Sequence, residues 1–344
     1  MHPAAADMGP PTTPDFPDLD LPPADVPRGG PAPLKRDLVL PSFPTARPRE
    51  RKWKYLLLLV ATFISTTWVG GSHYQGFVQD FGNRVVNLTG MELLANGLWY
   101  SLSILGILGA HELGHYFACR YYGVDASMPY FLPAPLPLTG TLGAFIRIRQ
   151  PIPTKRQLFD IGIAGPIAGF LVAVPVLLLG ISLSTVVRMP VDIEGVVELG
   201  EPLLFRVISW LRWGTPPEGY SVNMHPMAFA AWFGLLATAL NLFPIGQLDG
   251  GHISYAVLGR WSTAITLAMV LCLIGLTFVS ASWMVWTFLT IAMLFAFGPR
   301  HPRTIDEDVP LDRGRIWLAV FAVIMFILCF TPSPIEPLDV IAGP

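Results

Sequence analysis

The sequence predicts an all-α, polytopic membrane protein. Hydrophobic residues make up 52% of the 344-residue chain and charged residues only 13%, whereas soluble domains carry about 25% charged residues. The mean hydropathy is +0.53. Apolar runs long enough for membrane helices recur along the chain, separated by shorter polar segments. We therefore expect about seven transmembrane helices.

The positions of the apolar runs and of the basic residues between them also predict the orientation of the helices in the membrane. The runs lie approximately at residues 53–69, 92–116, 158–184, 227–246, 262–280, 283–298 and 314–331. The fifth and sixth are joined by a very short turn, so this pair is also compatible with a hairpin that does not cross fully. Basic residues cluster before the first run and in residues 117–156. Because basic loops favour the cytoplasmic side, we expect a bacterial inner-membrane protein with a cytoplasmic amino terminus.

The chain divides into five predicted regions. The first region, residues 1–52, holds 13 of the 34 prolines and is expected to be a disordered cytoplasmic tail. The regions are the tail at 1–52, the first helix with an external loop at 53–91, a three-span core at 92–260, additional carboxyl-terminal helices at 261–331 and a last tail at 332–344. His73 and His225 fall in expected external segments, where we expect them to be solvated.

One segment departs from the helical pattern. In residues 140–149, Phe145, Arg147 and Arg149 alternate with isoleucines, which is the period-two pattern of a strand. Glycines and prolines flank this segment. It predicts a small membrane-associated β-hairpin near 140–149.

Composition excludes several classes of function. The net charge of −2 gives no basis for nucleic-acid binding. The three cysteines show no CxxC spacing, so neither a disulfide framework nor a thiolate metal site is expected. Cys119 continues the helical row of His111 and His115, but three ligands spread over about 12 Å of helix cannot share one ion. We expect it to be a packing residue.

The sharpest signal is the sequence His-Glu-Leu-Gly-His at residues 111–115, inside the second apolar run. Two histidines four residues apart on a helix can bind one metal ion, and the intervening Glu112 can act on a water molecule there. The expected number of chance matches in this composition is roughly 0.004. The alternative is a pair of hydrogen-bonded histidines without a metal.

A third ligand is predicted from the parity of the spans. If the second span descends towards the cytoplasm, the fourth does so too, which brings Asp249 to the same side as His111 and His115. An ionisable residue in a membrane segment is a functional candidate because an unpaired buried charge is costly. Two histidines, a carboxylate and an open fourth position form a catalytic zinc pattern. Alternatively, Asp249 belongs to a turn-forming Asp-Gly-Gly sequence.

These motifs resemble the site-2 protease family of intramembrane zinc metalloproteases. HELGH precedes Ala-Gly-Pro at 164–166 and the downstream sequence LNLFPIGQLDGGH at 240–252, in the order found in that family. No PDZ domain is evident, so the chain is similar to the members without one. Gly169 stands where many members have Asn.

The resemblance implies the site and the substrate. His111, His115 and Asp249 would bind Zn²⁺, Glu112 would be the general base, and Asn241 would hold the substrate backbone. Asn241 has an alternative role as an interhelical hydrogen-bonding residue. The segment near 140–149 is similar to the family's β element, which pairs with an unwound substrate. The expected partners are the lipid bilayer and a transmembrane protein, cut near the cytoplasmic face in regulated intramembrane proteolysis.

Two other functions are considered. A non-proteolytic membrane binding or quality-control protein on the same scaffold would have no need of Glu112. A metal transporter would need polar residues along the rest of the second span, and residues 99–110 offer only Tyr100, Ser101 and Ser103.

Overall fold

The computed structural model describes residues 51–134, 136–189, 197–298 and 301–337. Almost all of the tail expected at 1–52 lies outside these ranges, as do residues 338–344. The described part is mostly helical and contains nine α-helices and three two-stranded sheets. The helical class is confirmed, with more strand than the sequence predicted.

The elements follow one another in a simple order. The helices are α1 (Lys52–Val78), α2 (Gly90–Tyr121), α3 (Lys155–Leu183), α4 (Leu203–Trp213), α5 (Pro226–Leu242), α6 (Asp249–Leu258), α7 (Ser262–Leu276), α8 (Trp283–Phe297) and α9 (Arg313–Cys329). The strands are β1 (Tyr130–Pro133), β2 (Thr141–Phe145), β3 (Thr185–Arg188), β4 (Val197–Leu199), β5 (Tyr220–Asn223) and β6 (Ile335–Pro337).

Four helical stretches in the described residues are long and apolar enough to cross a membrane. They are α1, α2, α3 and Asp249–Leu276, in which a 3₁₀ turn joins α6 to α7. The helical stretch that contains the fifth expected span thus begins at Asp249 and not near residue 262. Helices α5, α8 and α9 have 17, 15 and 17 residues, fewer than the roughly 20 that a span needs. Seven crossings therefore remain a prediction.

The largest hydrophobic core lies between α2, α3 and α5. Ile104 and Ile107 of α2, Leu177 of α3 and Leu235 of α5 are at most 2% exposed. Helix α1 packs against α2, and α9 packs against α3 and α5. The face of α2 that carries the two motif histidines is therefore enclosed by protein.

The two histidines expected to be solvated pack against neighbouring helices instead. His73 lies within α1 and its Nε2 bonds the Leu138 carbonyl at 2.9 Å. His225 precedes α5, where its Nδ1 accepts a hydrogen bond from the Met227 N–H at 3.3 Å. Burial lowers the pKa of His225 to about 4, so the neutral ring keeps the lone pair that caps the helix. The solvation prediction was wrong because both rings fill space in the helix packing.

The observed hairpin differs from the strand expected over residues 140–149. Strand β2 covers Thr141–Phe145, and its antiparallel partner β1 lies upstream, with Tyr130 opposite Phe145. Beyond β2, Arg149 forms an ion pair with Asp125 at 3.2 Å. Backbone pairing also continues there, since the Arg149 N–H donates to the Asp125 carbonyl at 2.9 Å and Ala126 lies opposite Ile148 in an isolated antiparallel bridge. The alternation that suggested a longer strand therefore corresponds to an interrupted continuation of the hairpin.

Residues 185–225, between the third and fourth expected spans and expected to lie outside the membrane, also contain regular structure. β3 pairs with β5, and β4 pairs with β6 from the expected carboxyl-terminal tail. The Trp232 Nε1–H of α5 donates to the Gly200 carbonyl at 2.7 Å. The carboxyl-terminal segment is thus part of the fold as far as Pro337, because its backbone pairs with β4.

Helices α1 and α2 approach each other through glycines. A Cβ atom on Gly70 would lie 2.4 Å from the Gly97 carbonyl oxygen, and one on Gly97 would lie 2.2 Å from the Thr67 carbonyl oxygen. By contrast, a Cβ atom on Gly76, in the same helix as Gly70, meets nothing within 4 Å.

We expect Gly70→Val to destabilise the protein and Gly76→Val to have little effect. The valine at position 70 must push α1 away from α2, and overpacking of this kind costs about 1–3 kcal/mol. Thermal unfolding of both variants in the same detergent should show a lowered midpoint for Gly70→Val. Equal midpoints in the two variants would contradict this packing.

Candidate metal centre and active site

The two motif histidines lie on one face of α2, one helical turn apart. The Nε2 atoms of His111 and His115 are 3.1 Å apart, and both residues are buried. The His115 Nδ1–H donates to the Ile161 carbonyl at 2.7 Å. With its proton on Nδ1, His115 directs the Nε2 lone pair to the centre that the two rings share.

Asp249 joins the two histidines from the first residue of α6. Its Oδ2 is 3.2 Å from the His111 Nε2, and its Oδ1 is 3.3 Å from the His115 Nε2. The expected position at the end of the fourth span was wrong, because α5 ends at Leu242 and a turn separates it from Asp249. A carboxylate in the first turn of a helix is favoured by the helix dipole.

Two glycines set the position of Asp249. A Cβ atom on Gly250 would lie 2.0 Å from the Leu242 carbonyl oxygen, and one on Gly251 would lie 2.2 Å from the Gly246 carbonyl oxygen. A larger residue at either position would push α6 away from the preceding turn. The Asp-Gly-Gly sequence therefore lets α6 begin against the end of α5, beside the histidines.

The separations in this cluster fit a zinc ion. Ligands of a tetrahedral zinc with bonds of about 2.0–2.1 Å are about 3.3 Å apart, and the closest separations here are 3.1, 3.2 and 3.3 Å. Within the described part of the chain, His111, His115 and Asp249 form a group whose possible ligand atoms all lie within 4.8 Å of one another. Three protein ligands leave a fourth position open, as in catalytic zinc sites.

Cys119 lies outside this cluster, one turn beyond His115 on α2. Its side chain is fully buried and packs with Val124, Ala126 and Ile161. Its predicted role as a packing residue is confirmed.

Helix α3 presents a glycine face to the two histidines. A Cβ atom on Gly165 would lie 2.1 Å from the His115 Nε2, and one on Gly169 would lie 3.1 Å from the His111 Cβ. Glycines four residues apart on α3 thus oppose histidines four residues apart on α2. Gly169 makes room for a ring, and it has no side chain with which to donate or accept a hydrogen bond.

Glu112 lies between the cluster and a cavity of about 200 Å³. The residue is 8% exposed. His111 and Glu112 line one side of the cavity, residues 142–144 of β2 line another, and α5 closes it. The cavity therefore joins the predicted general base to the hairpin.

Asn241, in the last turn of α5, also reaches this centre. Its Nδ2 lies 3.3 Å from the His111 Nε2, and the residue lines the same cavity. The structure thus brings together all five residues singled out in the sequence. A larger cavity of about 780 Å³ lies elsewhere, between α1, α4 and the strands β4 and β5, and contains none of them.

A family comparison agrees with the geometry. The model described as Peptidase family M50 matches residues 99–281, more than half of the chain. The chain belongs to peptidase family M50. This is the site-2 protease family, so the resemblance carried by the motifs is confirmed. M50 proteins use zinc, and the match covers α2 from Trp99 onward, through α7.

Curated relatives of this M50 chain are named as zinc metalloproteases. It is 29% identical over 260 residues to the probable zinc metalloprotease EGY2, chloroplastic, of Oryza sativa subsp. indica. This alignment covers 74% of this chain and 46% of the relative. It is 35% identical over 228 residues to the probable zinc metalloprotease EGY1, chloroplastic, of Arabidopsis thaliana. That alignment covers 60% of this chain and 40% of the relative. The chain thus spans less than half the length of these two relatives.

Two polar contacts near the M50 site were not foreseen. Asp160 accepts hydrogen bonds from the Arg315 Nε at 2.9 Å and from the Tyr122 hydroxyl, which ties α3 to α9 and to the end of α2. His252, one turn after Asp249, shares a hydrogen bond of 2.7 Å between its Nδ1 and the His301 Nε2. An arginine at the start of an apolar span, Arg315, is the signal from which the first contact could have been found.

We expect Gly165→Ala to weaken zinc binding, because the added methyl group must displace the His115 ring. Loss of ligand orientation typically costs about 10- to 100-fold in metal affinity. Gly106→Ala is the matched control, since a Cβ atom there meets only Val172 Cγ1, at 4.0 Å. Zinc content after dialysis against graded chelator would measure both. Equal zinc retention in the two variants would show that α3 does not position the histidines.

Proposed function

We propose that this protein is an intramembrane zinc metalloprotease that hydrolyses a peptide bond in or next to a transmembrane segment of a membrane protein. The observation that carries the proposal is the meeting of His111, His115 and Asp249 beside Glu112, on a cavity among apolar helices. A structural zinc site would be closed by four protein ligands, whereas this one has three and opens on a cavity.

Each residue has a role in the proposed reaction. His111, His115 and Asp249 hold the ion, which when bound polarises the scissile carbonyl and lowers the pKa of a water molecule to about 7. The Glu112 carboxylate takes a proton from the attacking water and passes it to the leaving amide nitrogen.

Asn241 and β2 are the proposed substrate-binding groups. A nitrogen that coordinates a metal cannot also accept a hydrogen bond, so the Asn241 amide is available to a substrate when His111 holds zinc. β2 pairs with β1, and its residues 142–144 border the cavity. An unwound substrate can add to a strand edge through backbone hydrogen bonds, which would hold its peptide bond near Glu112.

The membrane setting of the proposal rests on helix composition. The catalytic region is residues 92–260, and the helices in 261–331 are additions to it. The relatives are named chloroplastic and give no support to the expected bacterial inner membrane. We retain a multi-pass protein whose site lies nearer the face that carries the amino terminus, because the motif follows about 17 residues of apolar helix, or ~25 Å.

The two alternative functions are less well supported. A binding protein on this scaffold would not need Glu112 beside the cluster. A transporter would need a polar path through α2, yet the Tyr100 hydroxyl donates to the Thr139 carbonyl at 2.9 Å and the Ser101 Oγ bonds the Thr66 Oγ1 at 2.7 Å. These polar groups are used in helix packing.

We expect Glu112→Gln to abolish proteolysis and keep zinc. Loss of a general base typically slows a reaction about 10²- to 10⁴-fold, while the three proposed ligands remain. Asp249→Asn should lose zinc as well as activity. The measurement is cleavage of a single-span peptide in liposomes, followed by mass spectrometry, with the zinc content of each preparation.

Phe117→Ala is the control for this experiment. Phe117 is 62% exposed on the same helix and should retain both zinc and activity. Undiminished cleavage by the Glu112→Gln variant would contradict the proposed mechanism.

We expect a photo-crosslinking residue at Leu142 to react with the substrate. Leu142 is 68% exposed and lines the catalytic cavity from β2. Leu136, in the connection between β1 and β2, is 45% exposed and does not line that cavity. In the Glu112→Gln background, crosslinks to a single-span peptide should form from position 142 and not from 136. The reverse result would argue against substrate pairing at β2.

A further inference from the structure

A second cavity adjoins the catalytic one, and no residue of β2 lines it. Its volume is about 130 Å³, and it lies between the end of α5, the turn before α6, and helices α7 and α8. Leu240, Asn241 and Trp286 line both cavities. A group bound beside Asn241 in the catalytic cavity therefore has this second space directly next to it.

The second cavity is apolar, and part of its lining consists of fully packed core residues. Phe243, Ile245 and Leu273 line it, and each is at most 2% exposed within one hydrophobic cluster. Leu289 and Met293 contribute the α8 side. An apolar cavity of about 150 Å³ in another protein admits benzene. The size and lining here thus suit one leucine or phenylalanine side chain.

Helix α8 is held in place independently of any ligand. The Trp283 side chain is fully buried, and its Nε1–H donates to the Pro332 carbonyl at 2.7 Å. The Thr287 hydroxyl donates to the Leu273 carbonyl of α7 at 3.2 Å. Trp286 lies between these two anchors, one turn after Trp283, so its ring is supported at the boundary of the two cavities.

The wall formed by α8 lies outside the part of the chain that matches the M50 family. The match ends at residue 281, and α8 begins at Trp283. The α8 side of the second cavity is therefore formed by residues to which the family match does not extend.

We propose that this second cavity is a specificity subsite that binds one large apolar side chain of the substrate, next to the bond that is cleaved, with Trp286 limiting its size. The proposal rests on the proposed proteolytic function. Continuity with the catalytic cavity through Asn241 argues for a substrate side chain as the occupant. A lipid acyl chain is the competing occupant, and it would confer no side-chain preference.

The test uses synthetic single-span peptides in liposomes. Each has a lysine-flanked leucine–alanine span with one central Gly-Pro pair to unwind the helix, and the cleaved bond is mapped by mass spectrometry. Residues within three positions of that bond are then changed singly to Ala, Leu, Phe or Trp. We expect one position at which Leu or Phe raises kcat/KM roughly 10- to 100-fold over Ala and Trp is poorly accepted.

Variants of α8 connect the preference to the cavity. Trp286→Ala should allow Trp at that one position, and Leu289→Trp should fill the cavity and shift the preference to Ala. Phe288→Ala is the matched control, since Phe288 is 71% exposed and lines neither cavity. The absence of a preferred position, or a preference that both cavity variants leave unchanged, would overturn the subsite.

A binding measurement separates this inference from the proposed function. Photo-leucine is placed in turn at every position of the peptide span, which requires no mapped cleavage site. At one position it should crosslink to α7 or α8 in the Glu112→Gln variant, and Leu289→Trp should abolish that crosslink. Crosslinking without cleavage by the zinc-loaded wild type would support the subsite and contradict proteolysis. Cleavage without crosslinks to α7 or α8 would contradict the subsite alone.

Discussion

The close contact between the glycine face of α3 and the histidines of α2 is the constraint on which the candidate site depends. Gly165 and Gly169 have no side chains, and this lets the His115 and His111 rings lie between the two helices. The same approach brings the Ile161 carbonyl to the His115 Nδ1–H. The helix contact therefore sets both the position and the protonated nitrogen of a proposed metal ligand.

The second constraint is the cost of a charge among apolar helices. Asp249 lies where an isolated carboxylate would be strongly unfavourable, and the two histidines give it partners. Glycines allow the start of α6 to pack directly on the end of α5, so the carboxylate enters the cluster through backbone packing and not through a flexible loop.

In the proposed function, β2 and α8 bind different parts of the substrate. Strand β2 offers backbone groups that would pair with any unwound peptide. Helix α8 contributes an apolar wall, which can distinguish one side chain from another. Asn241 lies between the two, at the point where the catalytic cavity meets the second one.

The sequence alone determined what helix geometry and composition can encode. The spacing of His111, Glu112 and His115 is local, so the motif and its metal chemistry could be predicted without a structure, and the parity of the spans was sufficient to propose Asp249. The tertiary structure alone decided that Asp249 begins a helix, since Gly250 and Gly251 resemble a turn until the backbone packed against them is known. It also decided which glycines face the histidines, where β1 pairs with β2, and that α8 borders the site. Those features depend on contacts between segments far apart in the chain, and such contacts leave no period or spacing in the sequence.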